Sequence, residues 1–180
     1  IGAPFDKGKA SLYFGSASSI SPTSNWAYDG TIGENFGSSV SSAGDVNGDG
    51  YSDVIIGSPY YNNGQTEEGR VLVFNGSATG LKANANWTIE SNQASANFGN
   101  SVFTAGDING DGFSDVIAGA KNYDNGQTDE GGAFVYNGSA AGLSLSSGWD
   151  AESDQGSSNF GWCVSSAGDV NGDGYSDVLV

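Results

Sequence analysis

The feature that most restricts what this chain can fold into is an internal repeat. VSSAGDVNGDGYSDV at Val40–Val54 returns unchanged at Val164–Val178, and VFTAGDINGDGFSDV stands between them at Val102–Val116. The leading aspartates, Asp45, Asp107 and Asp169, succeed one another at 62 residues. A second block keeps the same beat, as GKASLYFGSASSI from Gly8, GRVLVFNGSATGL from Gly69 and GGAFVYNGSAAGL from Gly131. Trp26, Trp87 and Trp149 recur with it. A unit of this length buries its apolar residues by stacking on its neighbours. The chain reads as one repeat domain over 1–180, cut out of phase. It opens in the second half of a unit (1–35), continues through full units at 36–97 and 98–159, and closes in the first half of another (160–180).

Within a unit the apolar runs are short, rich in β-branched and aromatic residues, and bounded by Gly, Asn, Ser or Pro, which predicts strands. In the central unit these fall at about 38–43, 53–57, 70–75 and 86–90. No window shows capped helical periodicity. Four short strands per unit, repeated, predict an all-β chain of β-propeller blades, each of four antiparallel strands. The chain supplies three blades' worth, two complete and two half. The small residues of the first strand suit the crowded axis, and the Trp-bearing fourth strand suits the rim. Propellers usually need four to eight blades to close, and loose half blades expose sheet edges. Closure is therefore expected from a second copy joined head to tail, giving six blades, or from the rest of a longer chain. An open filament is the third arrangement.

The strongest chemical signal is D-x-N-x-D-G-x-x-D, present three times. Asp45, Asn47 and Asp49 place side-chain oxygens at positions 1, 3 and 5 of a tight loop. The backbone carbonyl of Tyr51 adds one at position 7, and Asp53 closes the shell at position 9. The second copy supplies Asp107, Asn109, Asp111, Phe113 and Asp115, and the third Asp169, Asn171, Asp173, Tyr175 and Asp177. Oxygen-only donors predict Ca²⁺, with Mg²⁺ second, in three sites per chain. An EF-hand requires a Glu at position 12 and a helix after it. Here position 12 is Ile56, Ala118 or Val180, and the motif runs into an apolar strand. A metal-free Asn/Asp/Gly turn is the bland alternative, but it leaves three aspartates per loop repelling one another.

The charge balance agrees. Five basic against 21 acidic residues give a net charge of −16, which argues against nucleic acid or an anionic membrane as partner. Apolar stretches are too short to cross a bilayer. With no histidine and one cysteine, a His-based triad, a His-ligated zinc and an internal disulfide are all excluded. Every recurrent carboxylate cluster is assigned to calcium, which leaves no pair placed for acid–base catalysis, so the chain is expected not to be an enzyme. It lacks an initial Met and a signal peptide, as expected of a processed product or an excised piece.

The combination of Phe36–Gly37, Phe98–Gly99 and Phe160–Gly161, the Asp loops, and Gly2–Ala3–Pro4 resembles the FG-GAP repeats of the integrin α propeller. The last element drifts to Gly57–Ser58–Pro59 and Gly119–Ala120–Lys121. The resemblance implies a calcium-stabilised, secreted or cell-surface propeller used in adhesion or recognition, with an extracellular protein or glycan as ligand. A lectin-like polysaccharide binder and a structural subunit of a filament or surface layer are the alternatives. Integrin propellers have seven blades, a number that three units per chain do not divide into.

In an up-and-down blade the Asp loops and the Asn-Gly turns share one face. The longer loops share the other, and they carry Tyr60, Tyr61 and Asn62, then Asn122, Tyr123 and Asp124, as candidate ligand contacts or as packing on the next blade. The equivalent N-terminal loop shrinks to Phe5–Lys7. Trp162 replaces Ser38 and Asn100 and is a candidate for ligand, channel or interface contact. The periodic Trp26, Trp87 and Trp149 are expected between blades. Cys163 is expected to be buried and inert on an inner strand. Asn75, Asn86 and Asn137 open glycosylation sequons.

Overall fold

The computed structural model describes residues 7–180, so the Gly2–Ala3–Pro4 element and most of the short N-terminal loop lie outside the described residues. Twelve strands and no helix occur among the described residues. They are β1 (Lys9–Leu12), β2 (Trp26–Asp29), β3 (Ser39–Gly44), β4 (Asp53–Ser58), β5 (Arg70–Phe74), β6 (Trp87–Glu90), β7 (Phe98–Gly106), β8 (Asp115–Ala120), β9 (Gly132–Tyr136), β10 (Trp149–Glu152), β11 (Ser165–Gly168) and β12 (Asp177–Leu179). Sheets β3–β4–β5–β6 and β7–β8–β9–β10 are complete four-stranded antiparallel blades. β1–β2 and β11–β12 are two-stranded half blades, and the sheets do not close into a ring.

The central strands read as unbroken apolar runs because both of their faces are covered. Side chains alternate across a sheet. Ile55, Val71 and Val73 pack with Val102, Val116 and Ala118 of the next blade. Their sequence neighbours Ile56, Leu72 and Phe74 pack on the other side with Ala10, Trp26 and Tyr28 of the preceding half blade. One blade later Ile117, Ala133 and Val135 repeat the arrangement against Val164 and Val178. A strand slipped by one residue would exchange the two cores, so neighbouring blades fix its register.

The FG pairs make the seam between blades. Phe98 is buried, and its N–H donates to the Glu68 carbonyl at 3.1 Å; Phe160 repeats this with Glu130 at 2.9 Å. The backbones of Gly57 and Gly99 then meet so closely that a Cβ on Gly57 would lie 1.9 Å from the Gly99 carbonyl oxygen. Gly119 and Gly161 meet in the same way. This contact is why the sequence keeps a glycine in both the FG pair and the element just past the Asp loop. The first strands of successive blades lie side by side. There Val102 N–H donates to Ser39 Oγ, and Val164 N–H to Ser101 Oγ, both at 3.0 Å.

The burial of each tryptophan depends on the blade beside it. Trp87 is buried, its ring edge-on to Tyr136 of the next blade at 5.1 Å, and its Nε1–H donates to the Ser144 carbonyl at 3.0 Å. Trp26 does the same with Phe74 and the Lys82 carbonyl. Trp149 departs from the expected core position. It is 40% exposed, because its turn of the cycle comes where the chain has only a half blade to offer. Cys163 is likewise a correction: it is exposed and precedes β11. Its counterparts Ser39 and Ser101 are covered by the first strand of the next unit, and no described strand succeeds β11 in that place.

Candidate metal centre

Each Asp loop is a hairpin connection closed by its own carboxylates. In the first, Asp45 Oδ1 accepts the N–H groups of Gly48 and Asp49 at 2.7 and 3.1 Å, and Oδ2 accepts that of Gly50 at 2.8 Å. Asn47 Oδ1 accepts Asp49 N–H, and Asp49 Oδ1 accepts Tyr51 N–H, both at 3.0 Å. Asn47 Nδ2 donates to Asp49 Oδ2 at 3.0 Å. The loops of Asp107, Asn109, Asp111 and Phe113 and of Asp169, Asn171, Asp173 and Tyr175 reproduce this pattern bond for bond. A register shift just before each loop, at Gly44, Gly106 and Gly168, turns the chain into it. Gly48 lies at φ +71° directly beneath the ring of Phe113 from the next loop, and Gly110 lies beneath Tyr175. Side chains at position 7 therefore clamp one loop onto the next.

The ninth position is the keystone. Asp53 is fully buried, with Oδ2 accepting Val46 N–H at 3.0 Å and Oδ1 accepting Gly76 N–H at 2.8 Å. One carboxylate thus joins its own loop to the Asn-Gly turn between β5 and β6. Asp115 ties Ile108 to Gly138 identically. Asp177 holds Val170 N–H in the last loop at 2.8 Å. Burial pushes the carboxyls of Asp53 and Asp115 above the usual aspartate range. Their backbone hydrogen bonds pull the other way, and the charges of Asp49 and Asp45, or of Asp111 and Asp107, push further up. Asp169, which is exposed, is held below that range, chiefly by the Gly174 N–H. The donors are oxygens throughout, and each oxygen that accepts one N–H still has a lone pair, so the set fits a hard divalent cation.

At the opposite end of the blades the candidate ligand residues are engaged by the protein itself. Tyr61 lies under the Arg70 guanidinium at 3.8 Å, and Tyr123 packs edge-on to Phe134. Asn62 Oδ1 accepts Glu67 N–H, and its Nδ2 donates to the Tyr60 carbonyl. The backbone of Asp124 is held by the Gln93 amide. Asn122 is the middle of a relay across blades: Asn159 Nδ2 donates to Asn122 Oδ1, Asn122 Nδ2 to Asn97 Oδ1, and Asn97 Nδ2 to the Pro59 carbonyl. Trp162 is 62% exposed, with Lys121 Nζ 4.6 Å from its ring. The same end holds a group that a local reading of the sequence misses. Glu130, Glu152 and Asp154 bring carboxylate oxygens within 4.8 Å of one another, so the Asp loops do not account for every carboxylate cluster. The signal in the sequence is Glu130 just before β9 together with the Glu-x-Asp at the end of β10, and it acquires meaning only when those two strands are paired.

The FG-GAP repeat family model matches residues 36–74 and 98–136. Integrin alpha-4 of Xenopus laevis is 34% identical over 154 residues, covering 83% of this chain and 14% of that protein. Integrin alpha-3 of Cricetulus griseus is 35% identical over 155 residues, again 83% of this chain and 14% of that protein. A phosphatidylinositol-glycan-specific phospholipase D of Rattus norvegicus is 33% identical over 151 residues, 78% of this chain and 18% of the enzyme. The chain spans less than a fifth of the length of these relatives. With the first three strands of both complete blades matched by the family model and a glycine–phenylalanine bridge at each of the three FG seams, the chain carries repeats of the FG-GAP family.

Proposed function

We propose that this is a calcium-stabilised, non-catalytic recognition or adhesion module that works outside the cell. The observation that carries it is the triplicate loop, whose ninth aspartate is buried in both complete blades and there ties one hairpin to the next. Asp53 and Asp115 are buried carboxylates with backbone donors but no cationic side chain on them among the described residues. A divalent ion supplies the missing countercharge and draws positions 1, 3, 5, 7 and 9 together. Likeness to integrin α chains supports the extracellular and adhesive part of the reading. The phospholipase D match covers only 18% of that enzyme, which suits FG-GAP units serving as a non-catalytic part of a larger protein. Ligand contacts then fall on the face away from the calcium loops, around Tyr60 and Trp162.

The module needs further strands to complete its blades. Ala10, Leu12, Trp26, Val40, Val54 and Ile56 line an apolar groove of about 450 Å³ beside the first half blade. Inner strands of another FG-GAP unit fit this groove, as β3 and β4 fit beside β5. On a second copy those strands are β11 and β12, and by correspondence with the Ile55–Val73 pair, Leu179 stands opposite Leu12. The occupant is such a strand pair, carried by a second copy or by the same polypeptide.

Three measurements test this. At roughly 1 mM free Ca²⁺ and a Kd of about 0.1 mM, each site adds about 1.4 kcal/mol, or about 4 kcal/mol for three. An unchanged melting temperature in excess chelator refutes the calcium reading. Solution mass tests closure: twice 18.2 kDa supports a paired assembly, and a stable 18.2 kDa monomer removes it. A glycan array that returns strong calcium-dependent sugar binding would replace the protein-ligand reading with a lectin.

A further inference from the structure

At the end of the second complete blade away from the Asp loops, Glu130 lies two residues before β9, Glu152 ends β10 opposite Gly132, and Asp154 comes two residues later. One carboxylate oxygen from each lies within 4.8 Å of the others. Glu130 is fully buried. Its Oε1 accepts the N–H groups of Asn125 and Gln127, while its Oε2 is buried without any partner. Asn125 Nδ2 braces Glu152 Oε1 at 2.9 Å. The hydroxyls of Ser153 and Ser158 both donate to the Glu130 carbonyl, which pins the segment beyond β10 to the segment before β9. The ion pairs among the described residues are Lys9–Asp29 and Arg70–Glu34, so no Lys or Arg neutralises this group.

The preceding blade serves as an internal control. Its equivalents are Glu68, Glu90 and Asn92. There the third carboxylate is an amide, and the Gln65 amide, turned nitrogen inward, donates to Glu68 Oε2 at 2.8 Å. That unit satisfies its buried glutamate with a neutral donor. The later unit replaces Asn92 by Asp154 and leaves Glu130 Oε2 without one. A buried carboxylate with one unpartnered oxygen, set beside two further carboxylates, is unfavourable unless a positive charge joins them. Oxygen-only donors favour Ca²⁺ over transition metals. Two ligands on one ion at 2.3–2.6 Å are separated by at most about 5 Å, which the carboxylate spacing satisfies.

We propose that Glu130, Glu152 and Asp154 form an additional calcium site, one per chain, at the end of the blade opposite the Asp loops. It ties the Ala120–Glu130 loop, which carries Asn122, Tyr123 and Asp124, to the exit of β10. Calcium therefore also orders the face proposed for recognition. The site uses no residue of the Asp loops and so stands apart from them.

The test is equilibrium dialysis of the whole chain against radioactive calcium, read as ions bound per chain. Asp154→Asn reproduces the arrangement the preceding blade already tolerates, so it is the variant expected to fold. Circular dichroism and the melt in chelator check that it does. Asp154→Asn and Glu152→Gln are each expected to bind one ion fewer than the parent, and Asp45→Asn to lose a different one, the losses adding in the double variant. Asp154→Asn binding as many ions as the parent overturns the proposal and leaves the loop sites untouched. Failure of the loop reading instead appears as no loss from Asp45→Asn.

Discussion

The junction between blades is best tested at Trp87. Replacing it with alanine removes an indole that is 8% exposed, edge-on to Tyr136 at 5.1 Å, with its N–H on the Ser144 carbonyl at 3.0 Å. Truncating a buried Trp to Ala costs about 3–5 kcal/mol, because the transferred surface and the cavity left behind both count. Trp87→Phe keeps an aromatic edge against Tyr136 and loses the hydrogen bond, worth about 0.5–1.5 kcal/mol, along with part of the packing. The phenylalanine variant is therefore expected to cost about 1–2 kcal/mol. Urea unfolding in saturating calcium measures both, provided the slope is unchanged. In a chain of this size the alanine variant corresponds to a melting temperature lower by roughly 6–20 °C. If Trp87→Ala lies within about 0.5 kcal/mol of the parent, as a surface substitution would, Trp87 does not join the blades and the stacked-core account fails.

The same contacts set other outcomes. Trp149→Ala is expected to cost less than Trp87→Ala in dilute monomer and to weaken self-association in sedimentation, since an incoming blade has to cover that ring; unaltered association removes the groove model. Gly57→Ala places a methyl 1.9 Å from the Gly99 carbonyl oxygen and should lower stability by about 3 kcal/mol or more, since backbone cannot yield as a side chain can; a near-neutral melt contradicts the seam. In chelator, the raised carboxyls of Asp53 and Asp115 favour the protonated folded state. Their contribution is complete below the unfolded value near 3.8 and is lost as pH rises through the folded one. Calcium binds only the ionised form, so the melting-temperature gap between calcium and chelator should widen from about pH 4 to about pH 7. A constant gap argues against Asp53 and Asp115 as ligands.

The features legible in the sequence are the local ones. The 62-residue beat, the short apolar runs and the turn residues specify strands at Ser39–Gly44, Asp53–Ser58, Arg70–Phe74 and Trp87–Glu90, each within about a residue of its expected bounds. Hairpin pairing joins neighbours in the chain, and turn chemistry is written in the residues that make it. The Asp loops are legible for the same reason, since nearly every hydrogen bond in them spans two to seven residues.

Tertiary structure decided what depends on residues distant in sequence. Asp53 reaches Gly76, 23 residues on, so its role as the link between two hairpins is invisible in the motif. The Asn159–Asn122–Asn97 relay converts a candidate ligand residue into a blade-to-blade connection. Trp149 and Cys163 look like their periodic counterparts but are exposed, because burial in a stacked fold belongs to the next unit rather than to the residue. Glu130 meets Glu152 and Asp154 only because β9 and β10 pair in one register. The sequence therefore determined the repeating unit and the hydrogen-bonded Asp loops within it. Stacking the units decided which side chains are covered and which carboxylates meet, because those depend on neighbours one strand or one blade away.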